Sequence, residues 1–167
     1  MTVAVRLATL SDRDAVATLI EAMDRHYQSP VPDARKIGAA VGRWLAGDGT
    51  DGRIALAFDG DNPVGIAIFA ILHPGVALTG LMFVKDIFVI NAARGRGAGD
   101  AIMRFLAAYC VENGIGRIDL QTEDDNAGAR RFYERLGGDL QDWKVAYRFS
   151  GEALKAMARD PDTGNGD

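Results

Sequence analysis

Hydrophobic side chains recur along this chain with two distinct periods. Near the start, Val3, Val5 and Leu7 alternate with other residues, the period-two mark of a strand. Val16, Leu19, Ile20 and Met23 then follow at i, i+3, i+4 and i+7, which predicts an amphipathic helix over residues 12–27. Ser11, with Asp14 three residues on, reads as its N-cap and a shortened capping box. The segment SPVPD (29–33) breaks the pattern. Ile37, Ala40, Val41 and Trp44 restore it as a second helix ending near Gly47.

The middle of the chain is strand-rich. Ile54, Leu56 and Phe58 alternate, DGDNP (59–63) is a turn, and residues 64–72 form a nearly continuous apolar strand. After the turn HPG (73–75), residues 79–90 are apolar on both faces, as expected of a central strand covered on both sides. Lys85 and Asp86 interrupt it. Neighbours in a regular strand point to opposite faces, so each charge needs a partner or a cleft. The glycine cluster RGRGAG (94–99) follows, and Ile102, Phe105, Leu106 and Tyr109 mark a long helix ending near Gly114.

Ile118 and Leu120 mark another strand, and Ala129, Phe132, Tyr133 and Leu136 a helix over 126–136. Trp143, Val145, Tyr147 and Phe149 alternate as a last strand, with a short helix over 152–158. The order predicts one α/β domain over residues 1–159 and a flexible tail over 160–167.

Composition narrows the function. A chain of 167 residues that is 48% hydrophobic can bury a core without covalent staples. With 19 Lys+Arg against 23 Asp+Glu, the net charge of −4 argues against a nucleic-acid partner, which calls for a basic face. No apolar run approaches the roughly 18 residues of a membrane span, and no basic-then-apolar leader opens the chain. The expectation is a cytoplasmic protein with no membrane partner. Cys110 is the only cysteine, and His26 and His73 the only histidines, so no internal disulfide can form and no metal site is expected.

Glycine is the compositional outlier, at 20 residues where an average chain of this length would carry about 7%. The cluster at 94–99 lies between a predicted buried strand and a helix. Amides at a helix N-terminus lack internal acceptors and sit at the positive end of the helix dipole. Glycines let a phosphate approach the backbone, and Arg94 and Arg96 add charge, so an anionic, pyrophosphate-like ligand is expected. The dinucleotide fingerprint fails because Asp100 and Ile102 stand where its last glycine belongs; no Walker A or G-x-S-x-G sequence is present.

The pattern that fits is Arg94-x-x-Gly97-x-Gly99 after the strand DIFV (86–89), followed by NAGARRFYERLGG (126–138). Together these resemble two motifs of the GNAT N-acetyltransferases, over about residues 3–150. The resemblance implies a mixed, mostly antiparallel central sheet, helices on both faces, and a splayed central strand pair that forms an acetyl-CoA cleft. It implies that Arg94, Gly95, Arg96, Gly97, Ala98 and Gly99 wrap the pyrophosphate and that the backbone of Phe88 and Val89 pairs with the pantetheine arm. By the same resemblance Asn126 and Arg130 contact CoA. Tyr133 stands near the CoA sulfur as general acid, and Asp86 serves as base or water anchor.

The implied reaction is acetyl transfer to a primary amine, nearest in pattern to the diamine/polyamine branch through WKVAYRFSGEAL (143–154). An alkyl amine with a pKa of about 10.4 is neutral in roughly one molecule per 2,500 at pH 7, a cost of about 4.6 kcal/mol that the site must meet by removing a proton. Acceptors left open are a small-molecule amine, an aminoglycoside, and a protein N-terminus or lysine. A non-catalytic acetyl-CoA-binding sensor also stays open, and the family resemblance implies a possible homodimer.

Overall fold

The computed structural model describes residues 2–48 and 51–159, so the expected tail at 160–167 lies outside the described residues. The chain forms two compact units, Met1–Gln121 and Thr122–Asp167.

The first unit is built on a five-stranded sheet whose spatial order is the sequence order: β1 (Val3–Leu7), β2 (Gly52–Asp59), β3 (Asn62–Leu72), β4 (Gly80–Val89) and β5 (Ile115–Leu120). The first four strands pair antiparallel, while β4 and β5 run parallel. A parallel pair needs a crossover, supplied here by helix α3 (Ala98–Glu112). Helices α1 (Arg13–His26) and α2 (Ala34–Leu45) lie between β1 and β2 in sequence.

Alternation along β2 divides the core into two layers. Ala55 and Ala57 join Phe69, Met82 and Val84 under Ile102, Leu106 and Cys110 of α3. Ile54 and Leu56 join Ile66 and Phe88 under Val16, Leu19, Ile20 and Met23 of α1 and Ile37 and Val41 of α2. The fold is therefore the expected mixed sheet with helices on both faces. Cys110 lies against Met82 (Sγ–Sδ 3.8 Å), and burial pushes its thiol pKa up, which makes it an inert core group.

The start of α1 differs from the expectation. Ser11 does not cap it, and the box forms earlier, around a 3-10 turn at Leu10–Asp12. The Asp12 carboxylate accepts from the Thr9 amide at 2.8 Å and hydroxyl at 2.9 Å, and takes Arg6 in a bidentate pair at 2.7 Å on each oxygen. The longer-range arginine on β1 explains why the local spacing misled: Asp12 is fixed from outside its own helix.

Hydrogen bonding by the Arg6 guanidinium, helped by Thr9 and opposed by burial, holds the Asp12 carboxyl well below the usual carboxylate range. A depressed folded-state pKa contributes stability above the unfolded value of about 3.9 and loses it as pH falls toward the folded value. Asp12→Asn should cost about 1–2 kcal/mol at pH 7, moderated because Arg6 is half exposed. Urea titrations of both proteins should show that difference shrinking progressively below about pH 4. A constant difference down to pH 2 would contradict the assignment.

The second unit holds helices α4 (Ala127–Arg135) and α5 (Gly151–Met157). The strand expected over Trp143–Phe149 is absent: among the described residues that stretch forms no regular element and joins no sheet. Alternation records a two-faced segment, and a strand also needs a neighbour.

Candidate active site

The centre of β4 is irregular in a way that shapes everything after it. Ile68 of β3 faces Asp86 and Phe69 faces Val84, so Lys85 has no partner and forms a β-bulge. The extra residue reverses the alternation. Before the bulge, Met82 and Val84 pack in the α3 layer; after it, Phe88 packs in the α1/α2 layer, while Ile87 and Val89 lie against the α3 layer. The expectation that Lys85 and Asp86 point to opposite faces is thereby corrected. Their side chains meet, with Lys85 Nζ 2.5 Å from Asp86 Oδ2, the lysine largely exposed and the aspartate 24% exposed.

The same point ends the pairing with β5. The last aligned pair is Val84 with Leu120, and beyond it β4 continues to Val89 with β3 alone as partner. This is the splayed strand pair. The Ile90 amide donates to the Val64 carbonyl on β3 at 3.0 Å. Backbone groups alternate along a strand, so Phe88 turns its own toward β3 and Ile87 and Val89 turn theirs toward the opened edge.

The glycine loop closes this edge. A 3-10 turn at Asn91–Ala93 leads into Arg94, whose Nε donates to the Val89 carbonyl at 3.0 Å and whose guanidinium lies 5.7 Å from the Phe88 ring centroid. Arg96 reaches back to the Ala92 carbonyl at 3.4 Å. Gly95 and Gly97 have φ of +70° and +88°, the left-handed region that side chains with a Cβ disfavour. Gly97 is the N-cap of α3, and the first intrahelical bond is Ala101 N to Gly97 O at 3.0 Å. The amides of Ala98 and Gly99 stand before that bond, at the positive end of the helix. Ala98 is buried, whereas Arg94, Gly95, Arg96 and Gly97 are exposed.

Asp86, Phe88, Val89 and the 94–99 loop thus form one continuous stretch of the first unit. Asn126, Arg130 and Tyr133 belong to the second, where the i, i+4, i+7 spacing sets them on one face of α4. Asn126 Oδ1 accepts from the Ala129 amide at 3.0 Å, so the asparagine caps the helix. Arg130 Nη1 donates to the Asp124 carbonyl at 3.2 Å and ties down the preceding loop. Tyr133 packs edge-on to Phe132, with centroids 5.2 Å apart.

Spacing gave no sign of one neighbour. His26, at the end of α1, has its ring 5.8 Å from Phe88 and 5.1 Å from Tyr27, which brings the end of α1 to the same stretch of β4. Only a tertiary contact reveals this. Among the described residues no group of three or more His, Cys, Asp or Glu could hold a metal ion, and no described helix is long and apolar enough to cross a membrane.

Comparison with known proteins agrees with this geometry. An L-ornithine N5-acetyltransferase of Arabidopsis thaliana is 29% identical over 94 residues, 56% of this chain and 41% of that protein. A thialysine N-epsilon-acetyltransferase of Mus musculus is 30% identical over 81 residues, 46% of this chain and 47% of that one. Each match spans less than half of the curated relative's length. Among solved structures, an integron cassette protein from the mobile metagenome of V. cholerae superimposes with a TM-score of 0.88 at 25% identity, covering 96% of this chain and 99% of that one. The profile of the Acetyltransferase (GNAT) family matches residues 16–138, and the chain belongs to that family.

Proposed function

We propose that this chain transfers the acetyl group of acetyl-CoA to a primary amine of a small molecule. The observation that carries the proposal is the opened edge of β4 running into a left-handed glycine loop at the N-terminus of α3. An edge with free backbone groups suits an amide-bearing arm, and the loop suits a pyrophosphate. Arg94 and Arg96 each commit one guanidinium nitrogen to a backbone carbonyl, which leaves further donors for phosphate oxygens. The relatives named for ornithine and thialysine support a small-molecule amine as acceptor.

Bound acetyl-CoA would supply the activated acetyl group. The chain's residues would then manage protons. Asp86 stands at the bulge where β4 and β5 part, with Oδ2 held by Lys85 and Oδ1 left to accept a proton from the amine, directly or through water. Tyr133 is the proposed donor to the leaving thiolate, for which a phenol with a pKa of about 10 is suited. Backbone amides of the opened strand are proposed to polarise the thioester carbonyl.

Two measurements test this. Thiol release from acetyl-CoA should depend on an added amine, screened across polyamines, amino acids, aminoglycosides and short peptides, with CoA binding followed by calorimetry. CoA binding without release for any acceptor would assign a binding module instead, and no CoA binding would remove the loop assignment. Asp86→Asn should lower kcat/KM by roughly 10²- to 10⁴-fold. An unchanged kcat/KM would return Asp86 to a purely structural ion pair.

A further inference from the structure

A cavity lies at the end of the first unit away from the glycine loop. It opens where β1 and β3 finish and β2 and β5 begin, between the C-terminal ends of α2 and α3. The glycine loop sits at the other end of α3, whose 15 residues put about 22 Å between the two places. The volume of about 590 Å³ is in the range of small-molecule sites. The proposed acetyl transfer makes no use of it.

Its lining has three kinds of surface. Ile54 and Ile115, both buried, and the half-buried Ile71 give it an apolar wall, and Trp44 adds an indole that is 41% exposed. Arg53 supplies a cation. Its Nη1 donates to the Tyr109 hydroxyl, and its guanidinium lies 5.6 Å from the Tyr109 ring centroid. That bond pins the group and leaves its other N–H donors open. Asp51 supplies an anion two residues earlier on the same lining.

Among the described residues neither Arg53 nor Asp51 forms an ion pair, with the other or with any further group. The ends of α2 and α3 add the negative poles of two helix dipoles. A simple anion would be opposed by Asp51 and by those poles, and a simple cation by Arg53. A small ligand that carries both charges on an apolar body satisfies every group.

We infer that this cavity binds a free α-amino acid with an apolar side chain. Arg53 takes the carboxylate, for which a planar guanidinium is suited. Asp51 and the helix ends take the ammonium, and the isoleucines and Trp44 take the side chain. Because Tyr109 already holds the guanidinium, little side-chain freedom is lost on binding. This inference does not depend on the enzymatic reading.

The test uses the full chain, with leucine and phenylalanine as probes. Trp44 and Trp143 are the only tryptophans, so Trp143→Phe leaves Trp44 as the sole reporter. In that chain at least one of the two amino acids should change Trp44 emission saturably, with a matching dissociation constant from calorimetry on the wild type. Arg53→Gln and Asp51→Asn should each weaken that binding at least roughly tenfold, with circular dichroism and Tm retained. Counterparts with one charge removed (isocaproate and isoamylamine for leucine, hydrocinnamate and phenethylamine for phenylalanine) should also bind at least roughly tenfold more weakly. No saturable response to either amino acid would overturn the proposal. So would an affinity unaltered by both substitutions, or a singly charged counterpart that binds as tightly as its parent.

Discussion

Gly97→Val should raise the dissociation constant for CoA by roughly ten- to a hundredfold while leaving the protein folded. Gly97 has φ of +88° and opens onto free space, so a Cβ meets no atom of the chain and the penalty is conformational. Holding a residue with a side chain in that region costs about 1–3 kcal/mol, more for a β-branched one. Without ligand, the exposed loop can relax to another conformation. Binding must restore the left-handed turn, and at about 1.4 kcal/mol per tenfold the strain becomes lost affinity. Gly60, in the β2–β3 turn at φ +59° with nothing near its Cβ position, supplies the control. Gly60→Val should impose similar strain and leave CoA affinity unchanged. Equal losses in both variants would mean the effect is general destabilisation and not a property of the loop.

Tyr133→Phe should lower turnover at saturating acetyl-CoA about a hundredfold, near the lower end of what a positioned proton donor contributes, with CoA affinity changed less than threefold. The substitution keeps the ring and its edge-on contact with Phe132, so α4 should retain its packing. The signature is the split between kcat and affinity. A parallel fall in both would make Tyr133 a binding residue, and equal activity in the two proteins would make it a packing residue. Steady-state thiol release and calorimetry on the same preparations decide between these outcomes.

The elements were largely legible from periodicity. The stripe Val16, Leu19, Ile20 and Met23 is the buried face of α1, and the alternation of Ile54 and Leu56 assigns that row of β2 to a single layer. The glycine loop was legible as a turn into α3 because Gly95 and Gly97 take left-handed φ, which few other residue types adopt. Three features were not legible, each for its own reason. The Asp12 box depends on Arg6 from another element. The Lys85 bulge depends on the partner strand, since residue types alone do not show which of two adjacent charges drops out of register. The segment 143–149 carries a strand's pattern but finds no neighbour among the described residues of its own chain.

The bulge sets a rule about chain length and not about side-chain identity. Lys85 is largely exposed, so many residues could occupy its position at little cost to folding. Losing that position altogether is another matter. Regular pairing would close over the gap with Ile68 still facing Asp86 and Phe69 still facing Val84, so Ile87, Phe88 and Val89 would keep their layers, while the local bend and added twist at the point where β4 leaves β5 would be lost. A single-residue deletion at this point would therefore leave the core in register and act on the opened edge, which no exchange of the lysine would do.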